Sequence, residues 1–175
     1  AATRTFTLRY DAGYVGTISG TVSLATGDAD EHPFNFTVQG TVSNVRVIDD
    51  GDVGFGTTGT WGTDTLGFQA DSRKHVPGGG TSTSSWTFTG LAAGFYQVSA
   101  TWPEKVWENT ATALYSVAGA DAAVVTSVDQ RYGPNDLTDR GAQWEHLGLP
   151  VRVTAAGTLT VTLSDRSEEH TSELQ

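Results

Sequence analysis

Residues 84–102 read SSWTFTGLAAGFYQVSATW. Trp86 and Phe88 fall on one side of an extended segment, and Tyr96, Val98, Ala100 and Trp102 alternate with polar residues on the next. A period of two belongs to a strand with one face buried, because successive side chains of a strand point to opposite faces. Between the two runs, Leu91-Ala-Ala-Gly94 is a turn. The expectation is a β-hairpin with Trp86 and Trp102 in its core.

The same pattern extends outward in both directions. Strand signals recur at 45–48, 113–117, 123–128, 151–154 and 158–163, separated by Gly-rich or Asp/Asn-containing turns. Ahead of them, three alternating runs carry Phe6, Leu8 and Tyr10, then Ile18, Val22 and Leu24, then Phe34, Phe36 and Val38. Many short strands with turn residues between them predict an all-β protein, a jelly-roll-like β-sandwich over the larger part. The 175 residues suffice for one sizeable domain and part of another.

Composition narrows the partners. A formal charge of -10 and a pI near 4.6 oppose nucleic-acid binding, which needs a basic surface to displace counterions from phosphates. An anionic membrane is disfavoured for the same reason, and no apolar run reaches spanning length, so no membrane insertion is expected. With no cysteine, disulfides and thiolate metal sites are excluded. Sandwich packing must supply the stability.

Three resemblances refine this reading. GTISGTVSLATGDADEHPFNFTVQGTV, residues 16–42, resembles the C-terminal half of a choice-of-anchor D domain, an immunoglobulin-like module related to the Hydin family. The resemblance implies a partial immunoglobulin-like β-sandwich over residues 1–43, a spacer of long surface proteins. Four blocks farther on resemble a golvesin or xanthan-lyase-type carbohydrate-binding-like domain: IDDGDVGFGTTGTW at 48–61, residues 84–102, GPNDLTDRGAQWEHLG at 133–148 and AGTLTVTLSD at 156–165. This second resemblance implies a jelly-roll domain over residues 44–165, short of its last strand. The final ten residues, RSEEHTSELQ at 166–175, resemble the translation of a widely used sequencing adapter, which implies a non-native tail.

Carboxylates gather at Asp28, Asp30 and Glu31, at Asp49, Asp50 and Asp52, and at Asp136 and Asp139. Asp and Gly are what tight turns demand, and turn chemistry accounts for all three clusters. Asp49, Asp50 and Asp52 are also candidates for a structural calcium ion, although their spacing is not that of an EF-hand loop. No other cofactor is expected. His32, His75, His146 and His170 lack a joint-ligand spacing, no serine lies in a nucleophile elbow, and no opposed pair of acids marks a glycosidase, so no catalytic residue is named.

Trp107 stands apart from the other tryptophans. It lies in PEKVWEN, residues 103–109, outside any alternating run and flanked by charge. Either it is a platform on which a sugar ring stacks, or it folds down as a lid over the sandwich edge. In the first case Glu104, Lys105 and Asn109 supply polar groups at the rim, and Arg131 with Tyr132 converges on them from a second turn. The expected function is non-catalytic binding of a polysaccharide or cell-surface glycan within a larger extracellular protein, secreted or on the cell surface, beside other domains of the same polypeptide. The alternatives are a structural spacer, or an accessory domain of a polysaccharide-degrading enzyme.

Overall fold

The computed structural model describes residues 5, 7–8, 16–27, 33–42 and 45–167. The chain divides into two compact units, Ala1–Arg46 and Val47–Gln175.

In the first unit, β1 (Gly16–Leu24) and β2 (Phe34–Val42) form an antiparallel hairpin whose register runs from Gly16 opposite Val42 to Leu24 opposite Phe34. Ile18, Val22 and Phe36 are half-buried, whereas Thr17, Ser19, Thr21 and Ser23 are exposed, as alternation requires. Val22 sits across from Phe36, and Phe36 lies 6.0 Å from Phe34 between ring centroids. Of the strand expected around Phe6, Leu8 and Tyr10, Phe6 and Tyr10 lie outside the described residues. Leu8 is exposed and belongs to no strand.

The second unit is a β-sandwich. Its larger sheet has the order β10 (Val124–Val128), β9 (Ala113–Ala118), β14 (Gly157–Ser167), β6 (Thr83–Leu91) and β3 (Phe55–Thr58), all neighbours antiparallel. Facing it are two short ladders: β11 (Leu137–Asp139), β12 (Ala142–His146) and β8 (Ser99–Ala100) in one, β13 (Val151–Val153) and β7 (Gly94–Tyr96) in the other. Leu147 N–H donates to the carbonyl of Val98 at 2.8 Å, so pairing continues between the two ladders. A separate small hairpin joins β4 (Gly62–Asp64) to β5 (Ser72–Lys74).

Inward-facing residues of both layers meet in one core. Ala113, Tyr115 and Val117 come from β9, Leu159 and Val161 from β14, Leu91 from β6, and Leu147, Val151 and Val153 from the facing layer. Trp86 and Phe88 pack against this cluster, and Trp86 also meets Phe55 at 5.4 Å between rings.

The structure corrects two expectations, the hairpin over 84–102 and the strand at 45–48. Residues 84–91 and 94–100 do not pair with each other: β6 lies between β14 and β3, whereas β7 pairs with β13 and β8 with β12. Ala92 and Ala93 carry the chain from one sheet to the other. Two strands facing each other across a sandwich show the same alternation as two strands in a hairpin, since both turn one face inward. Trp102 accordingly lies beyond β8, half-buried, with its indole N–H donating to the carbonyl of Tyr132 at 2.8 Å. The expected strand at 45–48 is irregular chain, anchored where the Ile48 side chain lies over Gly54. At the far end, β14 runs through Arg166 to Ser167, and Arg166 bridges to Gly78. The rest of the adapter-like stretch, 168–175, lies outside the described residues.

Candidate functional site

The loop after β8 begins at Trp102 and closes on a turn in which the backbone N–H groups of Glu108 and Asn109 both donate to the carbonyl of Lys105. Asn109 is half-buried and gives its side-chain amide hydrogens to the carbonyls of Pro103 and Gln130, both at 2.9 Å. Glu104 accepts from the N–H of Gly133 at 3.3 Å. With the Trp102 bond to Tyr132, these contacts lace the loop carrying Trp107 to the segment 130–133. Gln130 in turn reaches the core, donating from its side-chain amide to the Tyr115 hydroxyl at 2.8 Å. Burial pushes the Tyr115 phenol well above its usual range, so it stays protonated.

Lys105 points the other way. Its ammonium donates to Asp64 at 2.6 Å and to Glu108 at 3.1 Å, and Lys74 reaches the same Asp64 oxygen at 3.1 Å. The hydrogen bonds from Lys105 and Lys74 hold the Asp64 carboxyl far below the usual carboxylate range. Those to Asp64 and Glu108 raise the ammonium pKa of Lys105. Lys105 therefore ties the loop to β4.

Trp107 at the tip of this braced loop is 97 % exposed, and Tyr132 is 57 % exposed. Trp107 thus does not lie over the sandwich edge in this structure. Arg131 grips Asp129 through Nε at 2.9 Å and Nη2 at 2.7 Å, and its guanidinium lies 5.7 Å from the centroid of the Tyr132 ring. This pairing lowers the Asp129 pKa and raises that of Arg131.

Of the residues named from sequence, Glu104, Asn109, Arg131 and Tyr132 thus belong to two loops that the structure brings together, with Trp107 on one of them. Lys105 and Asn109 serve mainly to hold the loops. Sequence spacing gave no sign of Asp64 or Gln130, which do the bracing, because their partners Lys105, Asn109 and Tyr115 lie far away along the chain.

The other tryptophans are structural. Trp144 donates to the carbonyl of Asp139 at 3.1 Å and meets Phe68 edge-on at 5.3 Å. Trp61 donates to the carbonyl of Thr58 and packs against His75. Asp52 behaves as turn chemistry predicts, accepting from the Asp49 N–H at 2.8 Å, whereas Asp136 accepts from the His146 N–H at the end of β12. Asp52 is therefore occupied in its own turn. The three-carboxylate group that could hold a metal among the described residues is Asp49, Asp50 and Asp71 instead. Asp28, Asp30 and Glu31 lie outside the described residues.

No helix among the described residues is long and apolar enough to cross a membrane. No protein of curated function matches the chain. A Paenibacillus xanthan lyase structure is similar in fold, with a TM-score of 0.54 at 20% sequence identity over 76% of this chain. The chain spans 14% of that protein's length. Residues 46–172 match the Golvesin C-terminal domain, a span that takes in the whole described sandwich. With its fold and sequence agreeing across that span, the chain belongs to the Golvesin C-terminal domain family.

Proposed function

We propose that the sandwich is a non-catalytic module that binds a polysaccharide or cell-surface glycan as part of a larger extracellular protein. The observation that carries this reading is the exposed indole of Trp107 on a loop braced by hydrogen bonds. An indole held almost wholly in water needs a reason, because its apolar area gains by burial and the loop does not bury it. Sugar rings offer apolar C–H faces that stack on such a surface, and their hydroxyls need donors and acceptors beside it. Glu104, Glu108, Arg131 and the Tyr132 hydroxyl are polar groups of that kind on the two joined loops.

A bracing network also lowers the ordering entropy that binding would otherwise incur, since the loop is already fixed. The similar structure supports a carbohydrate setting, because it is a xanthan lyase and this fold occupies a small part of it. The formal charge of -10 favours neutral or cation-bridged glycans, or segments of low charge.

The test is a pull-down and calorimetric titration with a panel of polysaccharides, xanthan included, on the wild-type chain and on Trp107→Ala. Retention by at least one polysaccharide, lost in the variant with the thermal midpoint unchanged, is the expected result. Equal retention of both proteins would overturn the role of Trp107. The absence of retention by every polysaccharide would favour a spacer.

A further inference from the structure

Asp49, Asp50 and Asp71 each turn a carboxylate oxygen toward the others, all within 4.8 Å. Asp49 and Asp50 stand in the turn ahead of β3. Asp71 arrives from the single 3₁₀ turn at Phe68–Ala70, whose backbone is left-handed at Gln69 (φ 57°) and Ala70 (φ 72°).

Asp50 sets this cluster apart from an ordinary acidic turn. It is only 7 % exposed, yet neither of its carboxylate oxygens has a hydrogen bond. The positive group beside it is Arg73, whose Nε lies 3.5 Å from Asp50 without hydrogen-bond geometry and is itself unbonded. The guanidinium leans instead on the Phe55 ring, 5.9 Å from its centroid. Three carboxylates thus face one guanidinium, and the excess is two negative charges. A buried carboxylate with no donor is a costly arrangement that native proteins normally resolve with a partner. Burial and the neighbouring Asp71 push the Asp50 carboxyl above its usual range, and burial does the same for Asp49.

We propose that Asp49, Asp50 and Asp71 bind a divalent, oxygen-seeking cation of the calcium class. The donors are all oxygen, which suits a hard cation and excludes one that prefers nitrogen or sulfur. The charge excess matches a divalent ion. The donors come from irregular turns, and calcium tolerates irregular geometry where magnesium demands near-octahedral order. Asp71 is exposed, which leaves a path for the ion to enter. The ion would tie the turn before β3 to the β4–β5 hairpin, so its role is structural. This reading is independent of Trp107.

The experiment is calcium titration of the full chain after EDTA treatment, followed by calorimetry and by thermal unfolding at pH 7. The expected result is saturable binding, with a dissociation constant of roughly 10⁻³ M or tighter, and a thermal midpoint that climbs with calcium concentration. Magnesium at the same concentration should raise the midpoint less. Asp71→Asn, at an exposed position, should remain folded in EDTA, weaken calcium binding by about tenfold or more and flatten the calcium-dependent rise. Asp50→Asn, which keeps the shape of the side chain, should do the same. A wild-type midpoint unmoved by about 10 mM calcium would overturn the proposal. So would an undiminished calcium response in both variants, or carboxylates that merely share a proton, seen as an EDTA-treated chain stabilised by acid and indifferent to calcium.

Discussion

Trp107 and Gly119 show how single residues divide the work. A side chain 97 % exposed contributes little to folding, so Trp107→Ala should change stability by no more than about 0.5 kcal/mol while affecting polysaccharide retention. Denaturant unfolding and affinity electrophoresis on the same preparation separate the two effects. Gly119 carries the opposite burden. A Cβ there would come within 2.5 Å of the Arg152 carbonyl oxygen and of the Val151 side chain, where Ala120 N–H donates to that same carbonyl at 2.8 Å. Gly119→Ala should therefore destabilise by about 1–3 kcal/mol through forced displacement of β13, readable as a lower denaturation midpoint with ligand absent. The sequence marks Trp107 as unusual by its charged flanks. Nothing in the sequence marks Gly119 among the 21 glycines, because its constraint comes from a strand more than thirty residues away.

At the scale of elements, the two loops that end the sandwich behave as one braced unit. Asn109 supplies one of the bonds between them, to Gln130 across the gap, and a second within its own loop, to Pro103. Asn109→Ala would leave two half-buried carbonyls without donors, at about 1–3 kcal/mol for each buried group left unpaired. It should also loosen the Trp107 loop, so amide hydrogen exchange over residues 103–109 should speed up more than exchange in β9 or β14. A second consequence concerns pH. Asp64 has its pKa depressed by Lys105 and Lys74, so its contribution is present above the ordinary carboxylate pKa of about 4 and is lost as pH falls below it. Asp49 and Asp50 have raised pKa values, so the ion-free chain loses stability as pH rises from that ordinary value through their folded values. In EDTA the thermal midpoint should therefore pass through a maximum on the acid side of neutrality. Asp64→Asn should flatten the acid limb and Asp71→Asn the limb above it, both measurable by thermal scans against pH.

For the molecule as a whole, cohesion rests on the contact between the two layers of the sandwich, there being no disulfide. Leu147 is 1 % exposed and sits where the two short ladders of the facing layer join. Leu147→Ala should cost about 2–5 kcal/mol by combining lost burial with an unfilled cavity, and chemical denaturation of the variant measures this directly. The β1–β2 hairpin is a different case, because two strands alone are marginal in water. Chemical shifts of an isolated peptide over residues 1–46 should show little dispersion.

The sequence by itself determined the all-β class, because alternation over short runs and turn residues between them are local properties. Five strands of the sandwich, β6, β9, β10, β13 and β14, were legible in this way, from residues 84–89, 113–117, 123–128, 151–154 and 158–163. The short strands β3, β4, β5, β11 and β12 were not, since three to five residues with mixed polarity carry too little alternation to register. The exposed-aromatic candidate at Trp107 was legible too, as an apolar residue in charged surroundings. The tertiary structure alone decided which strands pair. Inward alternation is identical for a hairpin and for strands on opposing sheets, so residues 84–102 could not reveal the crossing at Ala92 and Ala93. It also decided which carboxylates meet. Asp52 is nearest in sequence but caps its own turn, whereas Asp71 is brought to Asp50 by the β4–β5 hairpin, a proximity that no local spacing encodes.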